Sequence, residues 1–209
     1  MVASAHKMAS WTLGVFRDRS KEVMLQLYKS LIRSKLEYCS PLWNPTLVRD
    51  IEKIEDVQRF FTNRISAMSN LSYWERLTAL KLHSLQRRRE RYLIIHTWKI
   101  ITEHVPNDLG MKFVENRRFG IKAIVPKLQK TASSKAKSCY DKSFHVRAAQ
   151  LWNLLPLKTK DLKSLDNFKI SMSTFLERFP DRPPVTGYTT ANHNSLLDWS
   201  NQSGGLQMM

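Results

Sequence analysis

Between Glu22 and Phe61 lie two runs of apolar residues spaced at steps of three and four, separated by a short break that carries two prolines. That period belongs to amphipathic α-helices, and the pattern predicts a helical hairpin. In the first run Met24, Leu27, Leu31 and Tyr38 share one side, widened by Tyr28, Ile32 and Leu36. Glu22, Gln26, Lys29, Arg33 and Glu37 mark the solvated stripe opposite. Ser20 is the expected N-cap. Pro41 is expected to end the run, because it has no N–H and restricts the residue before it. Asn44-Pro45 then restarts a helix in which Leu47, Ile51, Ile54, Phe61 and Ile65 form the seam, while Arg49, Glu52, Asp56, Arg59 and Asn63 face out. Tyr38, Leu42 and Trp43 are expected to cover the joint.

Further along, Ser72-Tyr73-Trp74-Glu75 has the layout of a capping box opening a short helix to about Leu80. Ser84 caps the longest helix, expected to run to about His104 before Val105-Pro106. Arg87, Arg88, Arg89 and Arg91 come first in it, followed by Leu93, Ile94, Ile95, Trp98, Ile100 and Ile101. At about 100° per residue the arginines span more than half the circumference, so a basic collar leading into a buried half is expected. Ser143 caps a helix through Leu155 with Phe144, Ala148, Leu151 and Trp152 inward. Ser164 caps another, whose apolar side is Leu165, Phe168, Met172, Phe175, Leu176 and Phe179. Trp152 and Phe175 lie in apolar stripes and are read as core.

The fold class is therefore all-α, a hairpin plus further packed helices. Residues 1–105 form one helical region, 106–142 a basic loop or linker, and 143–180 helices packed on the first region. Residues 181–209, with Pro183-Pro184 and Gly187, are expected to be a flexible, disordered tail. In the linker only GIKAIVPKL looks extended, as a short strand or an ordered loop.

Charge narrows the partners. Lys and Arg number 34 against 18 Asp and Glu, a net +16, which favours a polyanion. From Asn116 to Arg147 nine basic residues stand against a single acid, Asp141: Arg117, Arg118, Lys122, Lys127, Lys130, Lys135, Lys137, Lys142 and Arg147. A Ser/Lys-rich stretch without apolar periodicity is expected to be mobile when free, either ordering on a phosphate backbone or serving simply as a solvated charged loop. Two distant cysteines, Cys39 and Cys139, fit neither a zinc site nor a disulfide framework and match a reducing compartment. The N-terminal residues lack a signal-peptide layout, and no apolar run approaches the ~20 residues of a membrane span. The expected location is intracellular, nucleus or cytoplasm, with no membrane partner.

Five segments also carry a family likeness. LYKSLIRSKLEYCSPLWNP, IEKIEDVQRFFTNRI, LSYWERLTALKLHSLQRRRERYLIIHTWKI, SFHVRAAQLWNLLP and FKISMSTFLERFPDRPPVTGY occur in that order between about Ala5 and Trp199. Together they resemble the region just downstream of the catalytic palm in reverse transcriptases of non-LTR (LINE-type, jockey-like) retrotransposons. The resemblance implies a thumb and C-terminal region that holds the template–primer duplex while the palm does chemistry. It also implies that residues 1–105 are thumb-like, and that a helix within residues 1–19 leads out of a palm. Trp11, Leu13, Val15 and Phe16 would then present an exposed apolar surface, open to self-association.

In that family two metal-binding carboxylates sit in an aromatic-x-Asp-Asp turn of the palm. This sequence contains no Asp-Asp pair, so no polymerase centre and no cofactor of its own is expected, Mg²⁺ belonging with the palm. The expected function is that of a truncated reverse-transcriptase fragment retaining non-specific binding to RNA, DNA or their hybrid. Lys29, Arg33, Lys35, Arg87, Arg88, Arg89 and Arg91 are the candidate phosphate contacts, with Lys127, Lys135 and Lys137 as loop contacts. Such a thumb would touch phosphates and sugars across a wide, shallow minor groove. The alternatives are a helical protein-interaction module, or a decayed retrotransposon-derived reading frame with no selected activity.

Overall fold

A computed structural model describes residues 1–129, 131–185 and 194–202. It is mostly helical, with one two-stranded sheet, and divides into two compact units. Unit one comprises Met1–Arg89 and Asp181–Asn194, and unit two Glu90–Pro180 and Ser195–Met209. The division falls inside a helix rather than near residue 105.

In unit one, α1 (Val2–Val15) buries Ala5, Ala9 and Thr12, three small side chains on one face that let it approach its neighbours closely. The first arm of the hairpin is α2 (Lys21–Leu27), a π-helical turn (Tyr28–Arg33) and α3 (Ser34–Glu37). Its buried line is Met24, Tyr28, Ile32 and Leu36, four residues apart each time. In an ideal α-helix such a line drifts about 40° per step, and the wider π turn takes up part of that drift. Leu27 and Leu31 flank this line, half-buried, instead of defining it.

The elbow departs from expectation. The arm ends at Cys39, which is left-handed at φ 51°, and Pro41 lies inside a short following turn, α4 (Ser40–Trp43). Tyr38 and Leu42 point to solvent at 75% and 76% exposure, so of the three expected covers only Trp43 packs inward. The second arm, α5 (Val48–Thr62), starts three residues after Pro45, with Leu47 at the N-cap and exposed. Asn44 is thus not the N-cap of α5 but the C-cap of α4. Ile51, Ile54, Val57, Phe61 and Ile65 carry the seam.

Between the arms lies a buried polar chain. The Tyr28 hydroxyl donates to Gln58 Oε1 (2.5 Å), Gln58 Nε2 donates to the Tyr73 hydroxyl (2.9 Å), and Tyr73 donates to Glu55 Oε2 (2.7 Å). The Gln86 amide donates to Glu55 Oε1 (2.9 Å). The expected capping box opens α6 (Tyr73–Ala79), Glu75 N donating to Ser72 Oγ and Ser72 N to Glu75 Oε2. Ser84 caps α7 (Leu85–Ile101) by accepting from the Arg87 amide at 3.0 Å.

The segment after Pro180 is not a loose tail where it is described. The Ser84 amide donates to Asp181 Oδ2 (2.7 Å), Trp74 Nε1 donates to the Pro183 carbonyl (3.1 Å), and Val185 joins the core of unit one. The expectation of disorder over 186–193 and 203–209 lies outside the described residues.

Unit two is built on the apolar half of α7. The helix ends at Ile101, short of His104, with Glu103 left-handed just beyond. Strands β1 (Phe113–Asn116) and β2 (Gly120–Ala123) form an antiparallel ribbon, followed by α8 (Ser134–Lys142), α9 (Phe144–Asn153), α10 (Leu157–Lys160), α11 (Leu165–Leu176) and α12 (Leu196–Gln202). Trp98 stacks on Phe168 at 5.3 Å, and Trp152, fully buried, lies 6.1 Å from the same ring. Ser143 caps α9 as expected, whereas Ser164 sits at the N-cap of α11 without a side-chain bond. The carboxamide of Asn153 meets both backbone groups of Ala123 (3.0 and 2.9 Å), pairing the edge of β2 as a further strand would. Gly120 has φ +65°, a conformation that strains any side-chain-bearing residue, and a Cβ there would meet Leu157 Cδ1 at 2.6 Å unless that side chain moved.

Burial raises the Glu55 carboxyl to about 7 from an ordinary 4.5, against the opposing pull of Arg89 and its two hydrogen bonds. A carboxyl raised on folding favours the fold below its unfolded value and loses that advantage as pH climbs to about 7, worth about 3 kcal/mol when complete. Urea unfolding at pH 5 and pH 8 is therefore expected to show a fall in stability that Glu55→Gln largely removes. An equal fall in parent and variant would contradict this assignment.

Candidate nucleic-acid interface

The arginines at the start of α7 do not form an exposed collar. Arg87 and Arg89 are each 1% exposed. Arg87 Nη2 donates to the Asn194 carbonyl (3.4 Å). Arg89 Nε donates to Asn44 Oδ1 (3.2 Å), and its guanidinium lies 5.9 Å from the Trp43 ring centre. Arg88 grips Glu37 of the first hairpin arm with two nitrogens, Nε to Oε1 and Nη2 to Oε2, the latter at 3.0 Å. Arg91, half-buried in unit two, reaches Ser173 Oγ at 3.5 Å. A cation that leaves water must be met by carboxylates, carbonyls or ring faces, and these four are met inside the fold.

The first-arm candidates divide. Lys29 is exposed on the π turn, Lys35 is half-buried, and Arg33 lies 3.7 Å from Glu37, sharing that carboxylate with Arg88.

In unit two the candidates come together on exposed backbone. Lys135 and Lys137 project from α8, whose first turn is capped by Ser133 accepting from the Ala136 amide (3.3 Å). Helix α8 buries none of its side chains, and Tyr140 ties it down by donating to the Pro126 carbonyl next to the exposed Lys127. The stretch expected to be a loop is thus a helix and a ribbon.

The ribbon adds basic residues that are not among the ten candidate phosphate contacts. Asn116 Oδ1 accepts from the amides of Arg118 (2.9 Å) and Phe119 (3.1 Å), so Arg117, Arg118 and Phe119 form a built tip. All three are exposed, and the Arg118 guanidinium lies over the Phe119 ring at 5.4 Å. The outward pair Val114 and Lys122 continues that face, with Ile124 exposed beyond it. Lys160 on α10 is buried, and that burial, with the Lys122 charge beside it, lowers its ammonium to about 8 despite Asp161. The local charge marks Arg117, Arg118 and Lys122; that the two arginines crown a hairpin and Lys122 lies on its second strand depends on β1, whose four residues carry no alternation of their own.

Among the described residues, Arg117, Arg118, Lys122, Lys127, Lys135, Lys137 and Lys142 take part in no ion pair. Arg147, counted with them in the sequence, is buried 3.9 Å from Glu90 and belongs to the interior. The described residues hold no group of three or more His, Cys, Asp or Glu arranged for a metal ion, and no helix long and apolar enough to cross a membrane. Cys39 and Cys139 are free and exposed.

Removing one partner of the Arg88–Glu37 pair is expected to cost unit one about 1–3 kcal/mol. Arg88→Gln should therefore lower the urea midpoint while eluting from heparin at the parent salt concentration. Earlier elution with unchanged stability would return this arginine to the binding surface. Comparisons with protein-family models, with curated proteins and with solved structures give no match to this chain.

Proposed function

We propose that the chain holds nucleic acid by its phosphate backbone, without reading sequence, through the ribbon tip and α8 of unit two. The observation that carries this reading is the seven exposed cations from Arg117 to Lys142 that find no carboxylate among the described residues. A phosphate backbone supplies that counter-charge at regular spacing, and counterion release drives the association. Lys29 and Lys35 of unit one offer further contacts. The role accords with the one implied by resemblance to the thumb and post-palm region of non-LTR reverse transcriptases, where polymerase chemistry resides in the palm.

Fluorescence anisotropy with RNA, DNA and hybrid duplexes across a salt series tests it. Log affinity is expected to fall steeply with log salt, and Lys135→Gln/Lys137→Gln should make the slope shallower by about 1–2, at roughly 0.9 per lost phosphate contact on duplex DNA. A flat salt response, or no binding at low salt, would contradict the proposal.

A second reading has its own observation. Trp11 (56% exposed), Val15 (55%) and Phe16 (36%) leave an apolar patch at the end of α1, which fits self-association. Sizing chromatography separates it from phosphate contact, since apolar association persists in 1 M salt, where the screening length is about 3 Å. A monomer at every salt and protein concentration would dismiss it.

A further inference from the structure

Unit one contains a cleft of about 470 Å³ lined by His6 of α1, Asp56, Arg59 and Phe60 of α5, Asn63, Arg64, and Arg76 of α6. Its size falls within the range of small-ligand sites, but its lining is cationic where most such sites are apolar.

Arg76 is the anchor. It is only 5% exposed, and Nη1 donates to two neutral groups, Asn63 Oδ1 (2.8 Å) and the Leu71 carbonyl (2.9 Å). Its buried Nε has no hydrogen-bond partner, and no carboxylate lies within ion-pair distance of it among the described residues. Burial lowers the proton affinity of this guanidinium, Tyr73 opposes the shift, and the neighbouring Arg59 charge adds to it. Arg59 and Arg76 line the same cleft, and the repulsion between two like charges there is relieved by an anion between or beside them.

The remaining walls fit such an anion. Arg59 Nη2 holds Asp56 Oδ1 at 2.7 Å, which orients the fork and neutralises one charge. Arg64 lies over the Phe60 ring at 4.6 Å, and the His6 ring is 5.2 Å from Phe60. Because Asn63 Oδ1 is committed to Arg76, its amide N–H₂ remains a donor on the cleft wall. Arg59, Arg64 and Arg76 against Asp56 leave two positive charges.

We infer that this cleft binds a phosphate monoester dianion, held by Arg59, Arg64 and Arg76 with Asn63 as a neutral donor. Forked guanidinium groups match tetrahedral oxyanions, and a surplus of two matches a monoester, where a backbone diester carries only one charge. Two sources share this chemistry: a free phosphate ester such as a nucleoside monophosphate, or the 5′-terminal phosphate of a strand. The inference is independent of the unit-two surface, whose lysines take no part in it.

Titration of the full chain with inorganic phosphate at constant ionic strength, followed by ¹H–¹⁵N NMR, tests it. Saturable shifts are expected at His6, Asn63, Arg64 and Arg76, unchanged in Lys135→Gln/Lys137→Gln. Arg59→Gln and Arg64→Gln, at partly exposed positions, should each weaken binding about tenfold or more while leaving the spectrum folded. A trinucleotide with a 5′-phosphate binding more tightly than its 5′-hydroxyl counterpart assigns the cleft to strand ends. Equal binding of the two, with adenosine monophosphate still saturating the same shifts, assigns it to free esters. Shifts that grow linearly or spread over both units, or phosphate affinity untouched by both arginine variants, would overturn the inference.

Discussion

Moving a charge out of water is so costly that a fold must answer each buried cation or anion with a partner, and this requirement organises the chain. At the start of α7, Arg88 is answered by Glu37, Arg89 by Asn44 and the Trp43 ring, and Arg87 by the Asn194 carbonyl. One residue further, Glu90 is fully buried in unit two, accepts from the Ser195 hydroxyl (2.5 Å) and the Leu196 amide (3.1 Å), and faces Arg147 at 3.9 Å. Four consecutive charged side chains therefore serve the interior, two units drawing on one stretch of helix. Glu55 completes the pattern in unit one, where Tyr73 and the Gln86 amide answer its carboxyl.

The same accounting separates structural cations from available ones. Most of the arginine run serves the inside of the fold, while the lysines of α8 and the arginines of the ribbon tip are exposed and meet no carboxylate among the described residues. The tip owes its shape to Asn116, which gathers two amides, and to Gly120, whose missing Cβ lets Leu157 close against the turn. Its outward side combines cations with Phe119, Val114 and Ile124, a mixture suited to a polyanion that also presents flat apolar surfaces. The fold thus spends one basic run on cohesion and displays another.

Much of the helical framework was legible because its signals are local. Ser72 and Glu75 announce their capping box within four residues, Ser84 and Ser143 their helices, and the apolar crowd from Leu93 to Ile101 its own burial. What escaped depends on partners far away in sequence. Nothing near Arg88 foretells Glu37, fifty-one residues earlier, and nothing in Pro183-Pro184-Val185 foretells that Val185 enters the first core. Helix α8 was invisible for the opposite reason: with no buried side chain it has no apolar stripe, leaving only the Ser133 cap and helix-favouring Ala and Lys as clues. The elbow misled because Asn44-Pro45 has the form of a helix start, yet Asn44 serves Arg89 instead. Of the ten candidate contacts, the lysines lie at or near the surface while the arginines of α7 turn inward to partners that only the fold brings near them.

Lysine acetylation footprinting of the chain with and without a duplex, quantified residue by residue, addresses the central division between interior and displayed charge. Protection concentrated at Lys122, Lys127, Lys135, Lys137 and Lys142, with Lys7, Lys53 and Lys81 reacting equally in both states, is the predicted result. Uniform protection of all exposed lysines, or none along the ribbon and α8, would contradict it.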